Sequence, residues 1–359
     1  MFGRTTAVVV VAASLIAAAG CGKKSGPQSG PAPELTGLAA VPATAEVVIG
    51  ADVGKLVGSP VVERTTEQLL LRNPPLSERW QHLKDSCKID LAKQVKRVML
   101  AIGPAVLAPG PDGAGGKAAV GTGPVLMVVV GSIPEAELKD CVGKLVGTGG
   151  GSVTGKPVNG HTLYLAKDGN RTMYFAYGRP DTIVLGSNEA YVTEALGTGK
   201  KATDNPDLSR WLGMVNQGAA IWAAGRVDPR VRDGMVKFSE GRLSSGPSAF
   251  IATADLSSGA SLDLGAVMAK PEDAKSLESY AKGELALLVA AAQIKSLGTV
   301  VGKVTVAAEN DVVHLRAPLT VDDLNQLLSA LDGSKPPAQD SAPPAPAGSG
   351  TGSNPPGAK

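Results

Sequence analysis

Between residues 41 and 331 the apolar residues come in short runs of Val, Ile, Leu and Ala, most of them closed by glycine or proline. Runs this brief and this rich in β-branched residues read as strands rather than helices. They fall at 46–51, 96–103, 125–131, 161–166, 171–177 and 181–186. Helical signals separate them. Ser59-Pro60 places a capping serine before a proline at the first helical position, and 76–87 carries a second helix. Ser132-Ile-Pro-Glu135 is a capping box that opens a helix over 135–145, and a fourth helix over 187–196 stops at Gly197. Aromatic residues make up only 3% of the chain, so the core has to be aliphatic.

After a polar linker at 197–205 the pattern starts again. Strands are expected at 219–224, 248–256, 260–269, 299–309 and 311–318, the last two flanking a turn at Asn310-Asp311. Helices follow Asp228-Pro229, fill 271–297 and open at Thr320-Val-Asp-Asp323, with Leu324, Leu327, Leu328 and Leu331 on one face. The two halves align element by element at low residue identity. This predicts an α+β fold: a duplicated unit of mainly antiparallel sheet with helices packed on one face, coincidental element order being the alternative. The expected division is a signal at 1–20, a tether at 21–40, units at 41–197 and 206–332, and a Pro/Ala/Gly/Ser tail at 333–359. Tether and tail bury too little to offset their ordering entropy and are expected to be disordered.

Met1-Phe2-Gly3-Arg4 is a short head with one positive charge, 5–19 is apolar, and Ala18-Ala19-Gly20-Cys21 closes the segment. A membrane-spanning helix needs about 20 apolar residues, so this shorter run reads as a cleaved signal. It resembles a bacterial lipoprotein signal, with Ala18 where that motif usually has Leu. The resemblance implies cleavage before Cys21, a diacylglycerol on its sulfur, and a chain held to the membrane facing the periplasm. Gly22 in place of Asp implies sorting to the outer membrane. Ordinary cleavage after Ala17-Ala18-Ala19, which releases a soluble chain, remains an alternative, as does an uncleaved anchor. The stretch over 41–60, a strand leading into a Ser-Pro helix start, resembles myxobacterial-type envelope lipoproteins. That group carries no assigned activity, so it transfers no site residues.

Cys87 and Cys141 remain once Cys21 is assigned to the anchor. An even pair in an oxidising compartment reads as a disulfide. Two separate buried thiols are the alternative.

The chemistry of the chain is sparse. Without Arg4 the 35 basic residues become 34 against 33 acidic, and no basic cluster suggests nucleic acid. The segment from Gly150 to Lys156 approaches a phosphate loop, but Pro157 follows instead of Ser or Thr, and a Gly-rich turn is the simpler reading. Ser279-Tyr-Ala-Lys282 matches S-x-x-K without its partner motifs and falls inside a helix. His82, His161 and His314 stand in separate elements without ligand spacing, and Asp52 and Asp228 read as helix caps. No catalytic or metal residues and no cofactor are expected. The chain reads as a non-enzymatic interaction or structural module of the cell envelope, with the membrane and other envelope proteins as partners. A carrier of an apolar ligand such as a lipid is the second reading, and an enzyme with a site assembled from scattered residues is the third.

Overall fold

The computed structural model describes residues 35–87, 89–105, 119–147, 149–257, 259–294, 298–324 and 326–327. Cys21, the signal and the tail lie outside the described residues. The first unit runs β1 (Val47–Asp52), α1 (Val53–Val57), α2 (Pro60–Arg72), α3 (Pro74–Cys87), α4 (Leu91–Gln94), β2 (Val95–Ile102), β3 (Val125–Gly131), α5 (Glu135–Gly147), β4 (Ser152–Val158), β5 (His161–Asp168), β6 (Arg171–Arg179), β7 (Thr182–Gly186) and α6 (Glu189–Leu196). A bridging helix α7 (Pro206–Met214) follows. The second unit is β8 (Ile221–Arg226), α8 (Pro229–Phe238), β9 (Ala249–Asp255), β10 (Ala260–Val267), α9 (Pro271–Ile294), α10 (Gly298–Val301), β11 (Thr305–Glu309) and β12 (Val312–Leu319).

All twelve strands form one antiparallel sheet, in the order β11-β12-β10-β9-β8-β1-β2-β3-β7-β6-β5-β4. The same connectivity occurs on both sides of the middle. Three strands pair in succession, a helix crosses over, and a returning strand pairs with the third: β1-β2-β3-β7 on one side and β8-β9-β10-β12 on the other. The two units meet where β1 pairs β8 antiparallel, with Ile49 opposite Ala223 and Gly50 opposite Trp222. Antiparallel pairing of equivalent strands gives that seam a local two-fold relation.

The α+β architecture is as expected, but the helices cover both faces of the sheet. Residues opposite one another share a face, and neighbours along a strand alternate. Val48, Ala101, Leu126, Val184, Ala224 and Ile251 point to one face and form the largest core, which crosses the seam. That core is roofed by Val192 and Leu196 of α6 and by Leu208, Trp211 and Leu212 of α7. Leu35, Ala40 and Val41 also pack into it, so the end of the stretch read as a tether is folded onto the sheet. Among the described residues, helices cover the opposite face towards its two ends. Val129, Ile183 and Tyr177 lie beneath α5 and its Cys141. Val306 and Val313 lie beneath Ala274 and Leu277 of α9.

Local signals account for the element boundaries. Asp52, Ser59, Asn188, Asn205 and Asp228 cap five helices with side-chain oxygens that accept backbone N–H bonds. For α6 the cap is Asn188, one residue after the serine at which the sequence starts the helix. The segment around Gly150–Lys156 is an edge strand, β4, joined to β5 by a two-residue turn, Asn159-Gly160, with both residues at positive φ. Thr299 to Val304, read as strand, begins instead with the helical turn α10.

The Thr320–Asp323 box forms as expected. The Asp323 carboxylate accepts from Thr320 N at 2.7 Å, and Thr320 Oγ1 accepts from Asp323 N at 3.2 Å. Lys303 Nζ at 2.5 Å, and then Thr320, hold the Asp323 carboxyl down at about 2. A depressed carboxyl stabilises the fold above its unfolded value near 4 and loses that contribution as pH falls through the folded value. The cap is therefore expected to persist under mild acid and to be lost through about pH 2. The Asp323 carboxyl carbon shift followed by NMR checks this. A midpoint of about 4 would show a carboxylate with no such contacts.

Candidate functional site

The structure joins Cys87 to Cys141 in a disulfide, with Cα atoms 4.8 Å apart. The bond ties the end of α3 to α5 over the sheet. Other candidate residues are dispersed. Lys156 of the near phosphate loop lies on β4 and pairs with Glu189 at 2.6 Å. Ser279 Oγ donates back to Lys275 O, and Lys282 pairs with Glu278, so the S-x-x-K residues decorate a solvated face of α9. His82, His161 and His314 lie on α3, β5 and β12. His314 Nδ1 is 2.7 Å from the Asp263 carboxylate, which Arg316 also contacts while pairing with Glu309, a partly exposed ion network on three neighbouring strands. Among the described residues no three His, Cys, Asp or Glu side chains are placed to hold a metal ion.

Two features remain. The first is the middle of the partly covered sheet face. Across β2, β1, β8, β9 and β10 its side chains include Leu100, Ile102, Ile49, Ile221, Ala223, Phe250, Ala252, Leu262 and Leu264. None of these nine is charged or polar, and none is fully buried; Leu264 is 47% exposed. Five strands at about 4.8 Å spacing make this strip roughly 20 Å across. It lies between the helical cover of α3 and α5 on one side and that of α9 on the other. The helices of this layer carry uncovered apolar side chains as well: Leu71 on α2, Phe238 on α8, and Leu287 and Leu288 on α9. Burial of apolar surface is worth about 25 cal/mol per Å², so an open apolar strip of this width is a strong attractor for an apolar ligand.

The second feature is a cleft of about 570 Å³ where the ends of β2 and β3 meet α6. Pro104, Ala105, Gly123 and Pro124 form one wall; Asn188, Ala190, Tyr191 and Glu194 form the other, with Thr44 at the rim. Asn188 accepts from Tyr191 N at 3.0 Å and so sets the first turn of α6, which aims Tyr191 inward. The Tyr191 ring lies on the backbone of Gly103, where an added Cβ would stand 2.9 Å from Cζ. Tyr191 is 4% exposed, and its hydroxyl has no hydrogen-bond partner among the described residues. Glu46 Oε2 is likewise buried without a partner. Burial, and then the charges of Glu194 and Glu46, push the Tyr191 hydroxyl well above the usual phenol range, so it stays neutral. Tyr191, Glu46 and Glu194 carry no signal in the sequence, since a lone tyrosine after a helix cap has no local signature.

Among the described residues no helix is long and apolar enough to cross a membrane. No protein-family model matches the chain, and no curated protein matches it. The chain is similar to a solved structure described as "Structure of crystal form I of TP0453". The two are 10% identical, and the match covers 83% of this chain and 98% of that one at a TM-score of 0.43. No residue or activity is carried over from it.

Proposed function

We propose that this protein is a lipid-anchored, non-enzymatic module of the bacterial cell envelope, of the myxobacterial lipoprotein type, that holds an apolar ligand on the open face of its sheet. The observation that carries the reading is the uncharged strip over β2-β1-β8-β9-β10, which the described helices leave partly exposed. Edge-to-edge joining of the two units makes the strip continuous, because β1 and β8 each bring an apolar row to the seam. A lipid acyl chain suits it. Burying roughly 200 Å² of chain contributes on the order of 5 kcal/mol, and no polar group on the strip has to be desolvated. Anchorage through Cys21, on the outer membrane facing the periplasm, keeps such a binder beside its source of ligand.

The strip is tested by equilibrating delipidated protein with a total envelope lipid extract and with palmitate, and reading the bound species by native mass spectrometry. Uptake is expected, and Ala223→Glu or Leu100→Glu is expected to weaken it by about tenfold or more, because ligand burial then desolvates a carboxylate. Both positions are partly open to solvent, so neither carboxylate is forced into a closed core. No uptake, or uptake untouched by both charges, overturns the reading. The anchor is tested separately. Cys21→Ala should leave the membrane fraction, and radiolabelled palmitate should label only the parent chain.

A further inference from the structure

We propose that the helical layer beside the open strip docks on the interfacial region of a lipid bilayer. The inference rests on the membrane placement in the reading above and adds a second contact to it, made by protein side chains. Three helices of that layer carry it. On α8, Val231 and Phe238 stand seven residues apart, about two helical turns, and so share one stripe. Leu69 and Leu71 project from α2, and Leu287 and Leu288 from α9. All six are more than half exposed, Phe238 at 82%. No residue of α8 is buried, and from Leu285 to Gln293 α9 carries no charge and buries no side chain.

Protrusion and chemistry select lipid over a folded partner. A folded partner needs a matching pocket for each projecting side chain, and interfaces of that kind are anchored by hydrogen bonds and by Tyr, Trp or Arg. These six side chains offer neither donor nor acceptor. A bilayer interface takes aliphatic side chains and Phe at any spacing, to a depth of about 5–10 Å. Lys237 and Arg72 neighbour Phe238 and Leu71, and their stems are long enough to lie along the acyl boundary while the charges reach lipid phosphates. α2, α8 and α9 together carry equal numbers of acidic and basic residues, so the attraction is apolar and needs no anionic lipid.

The chain between Cys21 and the fold has the reach for this orientation. Leu35 packs on the opposite face of the sheet. A sheet between two helical layers is about 30 Å thick. The residues from 22 to 34 can extend to about 45 Å, so an anchor that leaves from one face still lets the other lie on the bilayer.

Flotation with phosphatidylcholine vesicles tests this on the chain that starts at a Cys21→Ala substitution, which keeps every described residue and lacks the acyl group. The protein is expected to float at low and at high salt. Phe238→Glu and the pair Leu287→Glu/Leu288→Glu should each weaken vesicle binding by about tenfold or more, because a carboxylate then has to enter the interface. Both variants should melt with the parent, since the altered side chains are exposed. A chain that takes up palmitate from solution but does not float overturns this proposal alone; one that floats without taking up palmitate overturns the strip alone. The proposal also falls if both charged variants float as the parent does, or if both melt lower and so reveal side chains packed within the fold. It falls too if the parent self-associates and either variant is monomeric, which assigns the surface to a second copy of the chain.

Discussion

Loss of the Cys87–Cys141 bond is expected to lower the stability of this protein by about 4 kcal/mol, from the entropy of an unfolded loop of 54 residues. The loop encloses β2 and β3, two interior strands, so the crosslink restrains chain that the sheet cannot form without. A local effect adds to the global one. The main contacts of α2 are with α1 and α3, and most of its described side chains are exposed. α3 is joined to the sheet layer chiefly through α5 and the disulfide. In a Cys87→Ala/Cys141→Ala chain the amides over 60–87 should therefore lose exchange protection first, and the guanidinium midpoint should fall while the slope rises, because the uncrosslinked unfolded chain is more expanded. A midpoint equal to that of the oxidised parent would show that the bond restrains nothing.

The second large effect is expected at the seam. Gly50 on β1 lies opposite Trp222 on β8, and a Cβ on Gly50 would stand 2.2 Å from the indole ring. Trp222 is 6% exposed and packs in the core that crosses both units. Truncating it as Trp222→Ala should cost about 3–5 kcal/mol, through lost burial and the cavity left behind. Gly50→Ala should cost about 1–3 kcal/mol, because the ring has no room to move away. The decisive measurement is the double variant. With the ring gone, the Gly50→Ala methyl meets open space, so the second substitution should be close to neutral and the two costs should fail to add. Strict additivity in equilibrium unfolding would show that glycine at position 50 is not there to admit the indole.

Most strands are readable directly because their signal is local. β1, β3 and β9 are β-branched or small-residue runs and β6 is an aromatic-rich one, and they fold within a residue or two of where the pattern puts them. The failures have equally local causes. β4 is Ser-Val-Thr-Gly-Lys-Pro-Val, a composition poor in strand formers, and it survives as an edge strand because β5 supplies its pairing. Helix α7 directly follows the polar linker and is not among the expected elements, although Asn205-Pro206 caps it and Leu208, Trp211 and Leu212 hold helical spacing. The helices on both faces are also signalled in principle. Val47, Val48 and Ile49 are apolar on consecutive residues, the pattern of a strand with apolar contacts on both sides.

The candidate sites are less legible. The pairing of Cys87 with Cys141 can be anticipated because only two cysteines remain once Cys21 is assigned. The open strip cannot, since each of its strands reads as an ordinary core strand until the helices able to cover it are placed. The cleft depends on Tyr191 and on Pro104 and Pro124, which are distant along the chain and meet only because β3 pairs with β7 and carries α6 back over the sheet.

The amino-acid order by itself determined an aliphatic core, the strands and caps, the repeated order of elements and a chain poor in reactive clusters. These follow from neighbours within a few residues, whose spacing decides which backbone conformation buries apolar groups and satisfies polar ones. The tertiary structure alone decided that the two units share one sheet through β1 and β8, that the described helices leave the middle of one face partly exposed, and that Tyr191 of α6 meets the ends of β2 and β3. Each of those depends on which distant edges pair and which surfaces are left over, and that is settled by competition among contacts across the whole chain.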